Sequence, residues 1–549
     1  MGNSFRQSMA WLHTWTGLVV GWVLFFVFVT GTAGYVDDEI TRWMKPELPL
    51  PVIEEAAEPD KALTVALAGL NGAVSGAKSW TITLPHRSLD PREYRGLSIA
   101  WEEMPRDGQL FGRRGRENLD AETGQPLQEP EARDTRGGQG LYQMHFLLHY
   151  VPLNAGIKIV GICTMLMLLA VVTGVITHKK IIADFFTFRR GKGQRSWLDA
   201  HNVVSVLCLP FFLMITYTGL VFFAVTYMPA PRDSLYTAGE VSRSVLFDEL
   251  FGRREGSHQV LVAPDPSLSS RLLRAAEAEW GEGRIAAVHI EHKVGEEPSV
   301  EFRRIADNRV DVADPQKLRF SAIDGSPFQI ETKKPALKAR DVLFGLHEGL
   351  FANWWLRWLY FVSGLMGCAV IATGLVLWTV KRRTKHAKIT AGASRFDAYG
   401  LRLVEILNAG TIVGLPMAIA AFFLANRLLP VQMVDRAEWE FHALFLTWGW
   451  ALFYASLRPL KRAWLELLWM TTTAFAAVPV VNALTTDRHL GVTLPHGDWA
   501  LAGFDLVMLA FAGGFALMAV KVRKTWAVAD EPASVPERQK QSALEEARP

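Results

Sequence analysis

Long stretches without charged side chains dominate the chain and alternate with polar segments. Eight of them contain no or almost no Asp, Glu, Lys or Arg: residues 7–36, 159–177, 202–231, 358–380, 406–426, 441–457, 467–486 and 499–520. Each is long enough to cross the hydrocarbon core of a bilayer, about 30 Å thick, as an α-helix. The pattern predicts an all-α helical membrane bundle of about eight transmembrane helices, embedded in the lipid bilayer.

Two long polar segments follow the first and the third span, and both have the same order of predicted elements. A helical stretch at 63–72 precedes strands at 80–84, 97–101 and 117–127, and a helix at 267–280 precedes strands at 286–292, 298–304 and 318–328. Both segments end on an acidic residue, a glycine turn and a proline, which is typical of a strand that runs into a tight turn. The sequence therefore predicts two small α+β modules.

Basic residues show which side of the membrane each loop occupies. They cluster in the loops after the second, fourth, sixth and eighth spans, among them Lys179, Arg189, Lys381, Arg458 and Lys521. The positive-inside rule makes these loops cytoplasmic, which puts both termini inside and the two α+β modules outside. The net charge of +3 follows from this topology, so no nucleic-acid surface is predicted. The charged tail is predicted to be disordered.

Four histidines stand ahead of four Thr-Gly pairs. His13 precedes Thr30-Gly31 by 17 residues, and His201 precedes Thr218-Gly219 by the same interval, about 26 Å of helix. His145 and His347 stand in equivalent positions before Thr173-Gly174 and Thr373-Gly374. A strongly polar side chain in a membrane helix is costly and usually faces the bundle interior with a partner. The repeat therefore indicates a shared chemical role for the four imidazoles.

Haem iron held by two imidazoles is one such partner. In an up-and-down bundle the first and third helices are diagonal neighbours, as are the second and fourth, so we expect His13 to face His201 and His145 to face His347. The first pair would lie at the cytoplasmic end and the second at the outer end. Only three cysteines are present, all within spans, which excludes covalent haem and Cys-ligated clusters and leaves two non-covalent b-type haems.

Two details of these sites stay open in the sequence. A continuous helix from His145 to Thr173 would be about 42 Å long, which places the outer pair at or above the lipid headgroups. His149 follows His145 by four residues, on the same face of such a helix, and is the alternative outer ligand. His178 is a spare candidate near the inner site. The motifs identify no catalytic side chain beyond these possible iron ligands.

The runs THKKIIADFFTFRRGKGQRSWLDAHNVVSVLCLPFFLMITYTGL and FGLHEGLFANWW, with the two α+β modules, resemble the PepSY-associated transmembrane proteins of bacterial inner membranes, over about residues 5–388. The resemblance implies periplasmic PepSY-like modules and a role in iron uptake, in some members as haem-containing reductases of ferric siderophores. The chain has no Gly-rich dinucleotide motif, and its inner loops are too short for a flavin domain. The electron donor is therefore expected to be a separate cytoplasmic flavoprotein or a membrane quinol.

The combined interpretation is a di-haem oxidoreductase that transfers electrons across the inner membrane to a periplasmic ferric complex, such as a ferric siderophore. The alternative is a non-enzymatic transporter or assembly protein whose PepSY modules bind a periplasmic ligand. Four additional helices at 400–525 lack any His-to-Thr-Gly unit and are expected to hold no haem, serving in packing or as a path for released iron. The predicted organisation is transmembrane helix 1 (1–36), module 1 (37–144), helices 2–3 with their cytoplasmic loop (145–228), module 2 (229–346), helix 4 (347–388), the four additional helices and a cytoplasmic tail (526–549).

Overall fold

The computed structural model describes residues 4–48, 58–73, 77–87, 94–104, 114–127, 131–178, 193–228, 264–293, 296–305, 316–328, 335–388 and 395–530, with a few isolated positions between them. These residues form two compact units. Unit one contains Met1–Asp38, Glu47–Arg133 and Gly138–Trp378, and unit two contains Glu39–Pro46, Asp134–Gly137 and Thr379–Pro549. The predicted disordered tail began at residue 526, but residues 526–530 still belong to the last helix. The rest of the tail, 531–549, lies outside the described residues, as does part of the basic loop after the second span.

Helices make up most of the described chain. In chain order they are α1 (Phe5–Ala33), α2 (Asp37–Met44), α3 (Pro59–Ala73), α4 (Gly137–Leu147), α5 (Leu153–Thr177), α6 (Gln194–Leu207), α7 (Leu209–Phe222), α8 (Ala224–Tyr227), α9 (Pro266–Trp280), α10 (Pro335–Glu348), α11 (Trp354–Lys388), α12 (Arg395–Ile412), α13 (Gly414–Leu428), α14 (Arg436–Leu457), α15 (Leu460–Thr485), α16 (Leu490–Thr493) and α17 (Trp499–Asp530).

Six helices in the described ranges are long and apolar enough to cross a membrane, or seven if the bent pair α6–α7 counts as one span. The count falls short of the eight predicted because α14, over the predicted sixth span, is less apolar. It opens with Arg436, Glu438 and Glu440 and carries several tryptophans. The other predicted spans each correspond to an apolar helix or to the bent pair.

Three predicted continuous helices are broken. The third span bends by 67° between α6 and α7 at Cys208, where Pro210, near the start of α7, has no N–H to continue the helix. The helix expected to run from His145 stops at Leu147, and Leu148 takes a positive φ of 55° before α5 begins. Gly349, at φ 66°, separates α10 from α11 in the same way. His145 and His347 therefore lie on short helices ahead of the spans.

The two predicted α+β segments are both present, and their strands form one sheet. The strands are β1 (Ala77–Thr83), β2 (His86–Arg87), β3 (Tyr94–Arg95), β4 (Ser98–Glu103), β5 (Arg114–Asn118), β6 (Ile285–Glu291), β7 (Ser299–Arg304) and β8 (Lys317–Ser321). Six of them hydrogen-bond in the order β5-β4-β1-β6-β7-β8, and β2 and β3 pair separately. Helices α3 and α9 supply leucines to the single apolar core on the sheet, which also contains Trp80, Ile82, Val288 and Phe302.

A local two-fold relation joins the two halves of this sheet. Strands β1 and β6 have the same burial pattern and pair with each other in antiparallel fashion. Matching the two strands end to end makes Thr81 the counterpart of His289, and these two residues are also direct partners in the ladder. The axis that exchanges the two modules therefore passes between Thr81 and His289. The duplicated segments form one body rather than two independent modules.

Unit two is a helical bundle that includes two short pieces from the first half of the sequence. Helices α12 to α15 and α17 supply its core residues, among them Phe422, Phe441 and Leu467. The end of α2 contributes Trp43, which stacks on Phe504 with 4.3 Å between ring centroids. Trp43 is only 1% exposed. The four additional helical passes predicted after residue 400 thus have an apolar core of their own.

Candidate functional site

Four histidines of unit one form two facing pairs. His13 on α1 faces His201 on α6, with 6.3 Å between ring centroids and 65° between ring planes. His145 on α4 faces His347 on α10, with 6.4 Å between ring centroids and 23° between ring planes. The structure therefore brings together the same partners that the repeat predicts.

Each imidazole packs against the glycine of a Thr-Gly pair on another helix. A Cβ built at Gly174 would lie 3.2 Å from Cε1 of His13, and one built at Gly374 would lie 3.2 Å from Cε1 of His201. At Gly219 it would lie 2.9 Å from Cε1 of His347, and at Gly31 it would lie 3.6 Å from His145. The sequence analysis used these glycines only as spacing markers. The glycine beside each ring is not the one that follows that histidine in the repeat, so each ring packs on the partner helix of its own half.

The hydrogen bonds found for these rings among the described residues all use Nδ1. The Nδ1 of His13 is 2.8 Å from the carbonyl oxygen of Ala170, and that of His201 is 3.1 Å from the carbonyl oxygen of Val370. His347 has the equivalent carbonyl of Ile215 as a partner. These carbonyls each lie three residues before the threonine of the pair. A carbonyl can only accept, so Nδ1 carries the proton and Nε2 keeps its lone pair.

His145 departs from this pattern. Its Nδ1 bonds to the carbonyl oxygen of Tyr142 on its own helix. Burial lowers the pKa of His145 to about 4. Burial, with a smaller effect of the neighbouring His145, lowers the pKa of His347 to about 3. Both rings of this pair are therefore neutral at pH 7.

The spacing between the two pairs follows from α1, which carries one ring of the first pair and contacts a ring of the second. His13 lies on α1, and Gly31, which contacts His145, follows 18 residues later on the same helix. This interval is about 27 Å of helix, within the thickness of a bilayer core. The expectation of about 42 Å was wrong, because the helix breaks at Leu148 and α4 is separate from α5.

The two spare histidines do not form part of these facing pairs. His149 lies in the turn after α4, against Tyr150 with 4.5 Å between ring centroids, so it does not share a helical face with His145. His178 is the residue that follows the last turn of α5. Arg357 donates to the carbonyl oxygen of Tyr35 at 2.9 Å.

Aromatic side chains surround the pair of His145 and His347. Phe222 stacks on Phe344 with 3.8 Å between centroids, and Phe222 also contacts His347. Tyr142 donates to Oε1 of Glu348 at 2.7 Å. Burial raises the pKa of Glu348. The surroundings of this pair are thus mostly aromatic, and the two histidines are partly buried.

A second cluster of buried charged residues lies in unit two. Arg436 donates to Glu440 at 2.5 Å, and Glu440 also accepts from Asn426 at 2.7 Å. Arg427 donates to Asn482 at 2.8 Å and stacks over Trp43. The i, i+4 spacing of Arg436 and Glu440 at the start of an apolar helix was the available signal.

Asp505 belongs to the same cluster. It accepts from Nε1 of Trp43 at 3.0 Å and from Asn482 at 3.0 Å. The cluster contains two arginines, Arg427 and Arg436, and two carboxylates, Glu440 and Asp505. Each of these side chains makes several hydrogen bonds. Such a network stabilises one arrangement of the bundle, so the buried carboxylate has a structural explanation.

Each facing pair offers two imidazole rings whose Nε2 atoms keep a lone pair and could bind a metal ion. The described residues contain no group of three or more His, Cys, Asp or Glu side chains placed to hold a metal ion. Any metal ion at these pairs would therefore need further ligands from outside these side chains.

Comparison with known proteins identifies the family. Residues 10–381 match the family described as the PepSY-associated TM region. The uncharacterized protein PA4219 of Pseudomonas aeruginosa is 25% identical over 374 residues, which cover 64% of this chain and 86% of that protein. The matched region contains all four facing histidines and all six strands of the sheet. The chain is therefore a multi-helix membrane protein that belongs to the PepSY-associated TM region family.

Proposed function

We propose that the protein binds two b-type haems, one between His13 and His201 and one between His145 and His347, and transfers electrons across the membrane to a ferric complex. The observation that carries the proposal is the presence of two facing pairs of imidazoles. One pair includes His13 of α1, and the other contacts Gly31 near the end of the same helix. The sheet formed by the two α+β segments would lie in the periplasm, beside the His145 and His347 pair. The electron acceptor is a periplasmic ferric complex, such as a ferric siderophore.

The spacing of the rings fits an axially ligated iron. A bond from a metal to an imidazole nitrogen is about 2.0 Å, and a ring nitrogen lies about 1.2 Å from the ring centre, so two rings on opposite sides of one iron have centroids about 6.4 Å apart. The observed separations are 6.3 Å and 6.4 Å. Both pairs therefore have the separation that bis-imidazole ligation requires.

The hydrogen bonds of the rings also fit this role. A histidine that ligates a metal usually donates its other ring nitrogen to a carbonyl or carboxylate, which fixes the tautomer and the ring orientation. The Nδ1 atoms of His13, His145 and His201 each have a main-chain carbonyl as partner. His347 has the carbonyl of Ile215 and the hydroxyl of Thr218 as partners. Each haem, when bound, would accept and release one electron at its iron. The protein supplies the ligands, holds their orientation and keeps water away.

The two ends of the bundle suggest a direction for the electrons. The loops rich in Lys and Arg support a cytoplasmic position for the His13 and His201 pair, where a flavoprotein or a membrane quinol would donate electrons. The other pair lies toward the opposite side. One electron from the donor reduces one ferric ion to the ferrous state, which weakens its hold in a siderophore and releases it for uptake.

Haem content is the direct test. The full chain is expressed with adequate haem supply, purified in detergent and measured by absorption spectroscopy and by haem extraction into acid-acetone. We expect two extractable haems per chain, with the spectrum of low-spin bis-imidazole iron. His13→Ala or His201→Ala should remove one haem, and His145→Ala or His347→Ala the other.

His496→Ala provides the matched control, because His496 is exposed and its Nδ1 bonds to Val492 within its own turn of chain. This variant should keep both haems. A wild-type protein that contains almost no haem would contradict the proposal and favour the alternative, a transporter or assembly protein. Stopped-flow reduction of a ferric siderophore by the haem-loaded, reduced protein then tests the electron transfer separately from the binding.

A further inference from the structure

We infer that Thr218 and Thr373 are positioning residues, each acting on one ligand of a pair through its side-chain hydroxyl. This inference rests on the proposed haem ligation. Oγ1 of Thr218 is 3.0 Å from Nδ1 of His347, and Oγ1 of Thr373 is 3.3 Å from Nδ1 of His201. Each pair of imidazoles thus contains one ring that contacts a threonine hydroxyl.

The direction of these hydrogen bonds follows from the other partners of the hydroxyls. Oγ1 of Thr218 donates to the carbonyl oxygen of Met214 at 2.7 Å, and Oγ1 of Thr373 donates to that of Ala369 at 2.7 Å. A hydroxyl has a single proton, so its lone pair is what remains for the ring. The ring nitrogen must therefore donate. The hydroxyl is a second acceptor for the Nδ1–H, beside the main-chain carbonyl.

Two acceptors on one N–H have a chemical effect on the opposite nitrogen. They draw the Nδ1 proton away from the ring and make Nε2 more basic, and a more basic ligand stabilises ferric over ferrous iron. They also fix the rotation of the ring. Thr218 and Thr373 should therefore lower the reduction potential of the site that they serve and hold its ligand in place.

The other two threonines of the repeat have no such contact and provide internal controls. Oγ1 of Thr173 donates to the carbonyl oxygen of Leu169 at 2.7 Å, and Oγ1 of Thr30 donates to that of Phe26 at 2.8 Å. The rings that pack on these helices, His13 and His145, bond to main-chain carbonyls. Thr30, Thr173 and Thr218 are buried and Thr373 is partly buried. All four lie within helices and donate to the carbonyl oxygen four residues earlier, so the contact with a ring is what separates the two groups.

The experiment replaces each threonine by valine, which keeps the shape and removes the hydroxyl. Reductive titration of the haem-loaded full chain gives the midpoint potential of each haem, and transfer of haem to excess apomyoglobin gives its rate of loss. We expect Thr218→Val and Thr373→Val each to raise the potential of one haem, leave the other unchanged, and increase the loss of that haem about tenfold or more. Thr30→Val and Thr173→Val should change neither property.

Thr218→Ser and Thr373→Ser should restore the wild-type values, because serine keeps the hydroxyl. If Thr218→Val does not accumulate in the membrane, Thr218→Ala is used in its place. Thr373→Val and its control Thr173→Val make the same comparison independently. Equal shifts in all four valine variants, or no shift in any, would overturn the inference while leaving the haems in place. A wild-type protein without haem would instead show that the proposed function itself is wrong.

Discussion

Alanine at the four glycines of the Thr-Gly pairs should weaken haem binding in a fixed order. The added methyl group would lie 2.9 Å from His347 at position 219, 3.2 Å from a ring atom at positions 174 and 374, and 3.6 Å from His145 at position 31. Carbon atoms in contact are about 3.5 to 4.0 Å apart. The ring of His347 must therefore move by roughly 0.6 Å, two other rings by roughly 0.3 Å, and His145 hardly at all.

We expect alanine to destabilise the protein at position 219 and to stabilise it slightly at position 31. Extra methyl groups in a packed interior cost about 1–3 kcal/mol, and we assign the upper part of this range to Gly219→Ala because its contact is the shortest. At Gly31 no clash opposes the change, and alanine in a helix is favoured over glycine by about 1 kcal/mol. A difference of about 1.4 kcal/mol is a tenfold change in an equilibrium constant. Gly219→Ala should thus weaken one haem site about ten- to a hundredfold.

The assay is the rate of haem transfer from the purified, loaded protein to excess apomyoglobin, together with the thermal unfolding temperature. We expect the loss to be fastest in Gly219→Ala, intermediate in Gly174→Ala and Gly374→Ala, and close to wild type in Gly31→Ala. The reasoning is refuted if Gly31→Ala releases haem as fast as Gly219→Ala, or if the unfolding temperature falls equally in both.

Three further predictions concern the rest of the molecule. A chain that ends with α11 should be unstable in detergent, because it exposes Trp43 and its buried neighbours on α2 at a cost of about 5 kcal/mol, and a lower unfolding temperature would show it. Trp43→Phe keeps an aromatic side chain but removes the Nε1–H that donates to Asp505. This should lower the free energy of unfolding, measured by chemical denaturation, by about 1–3 kcal/mol. Burial raises the pKa of Glu291, but the nearby side chains of His289, 3.8 Å away, and Lys293, 3.1 Å away, outweigh it and lower that pKa to about 2. Glu291→Gln should therefore destabilise the sheet at neutral pH, with the difference from wild type disappearing as the pH falls from about 4.5 toward about 2.

The repeat in the sequence predicted the partners of the four histidines because duplicated helices must place equivalent residues at equivalent depths. The interval from His13 to Gly31 fixes the depth of both pairs, since one straight helix joins them. The alternation of residues in the strands likewise predicted each α+β half. The alternation could not predict the pairing of β1 with β6. Each of these strands lies at the edge of its own three-stranded half, and its sequence gives no local signal of a long-range partner.

The breaks in the helices were missed for a different reason. Leu148 takes a positive φ although it is not a glycine, so residue type gave no signal of a break at that position. The buried pair of Arg436 and Glu440 was missed because charged residues at the start of a helix normally lie in water. Only the fold shows that Asn426 and Thr135 donate hydrogen bonds to the carboxylate of Glu440.

Each duplicated half of unit one holds its own two histidine rings. His13 packs against Gly174 and His145 against Gly31, so the first half holds both of its own rings, and the second half holds His201 and His347 in the same way. Each facing pair, in contrast, takes one ring from each half. Every half can therefore fix the orientation of its imidazoles before the halves meet. The two proposed haems would then join the halves, as the pairing of β1 with β6 joins the sheet.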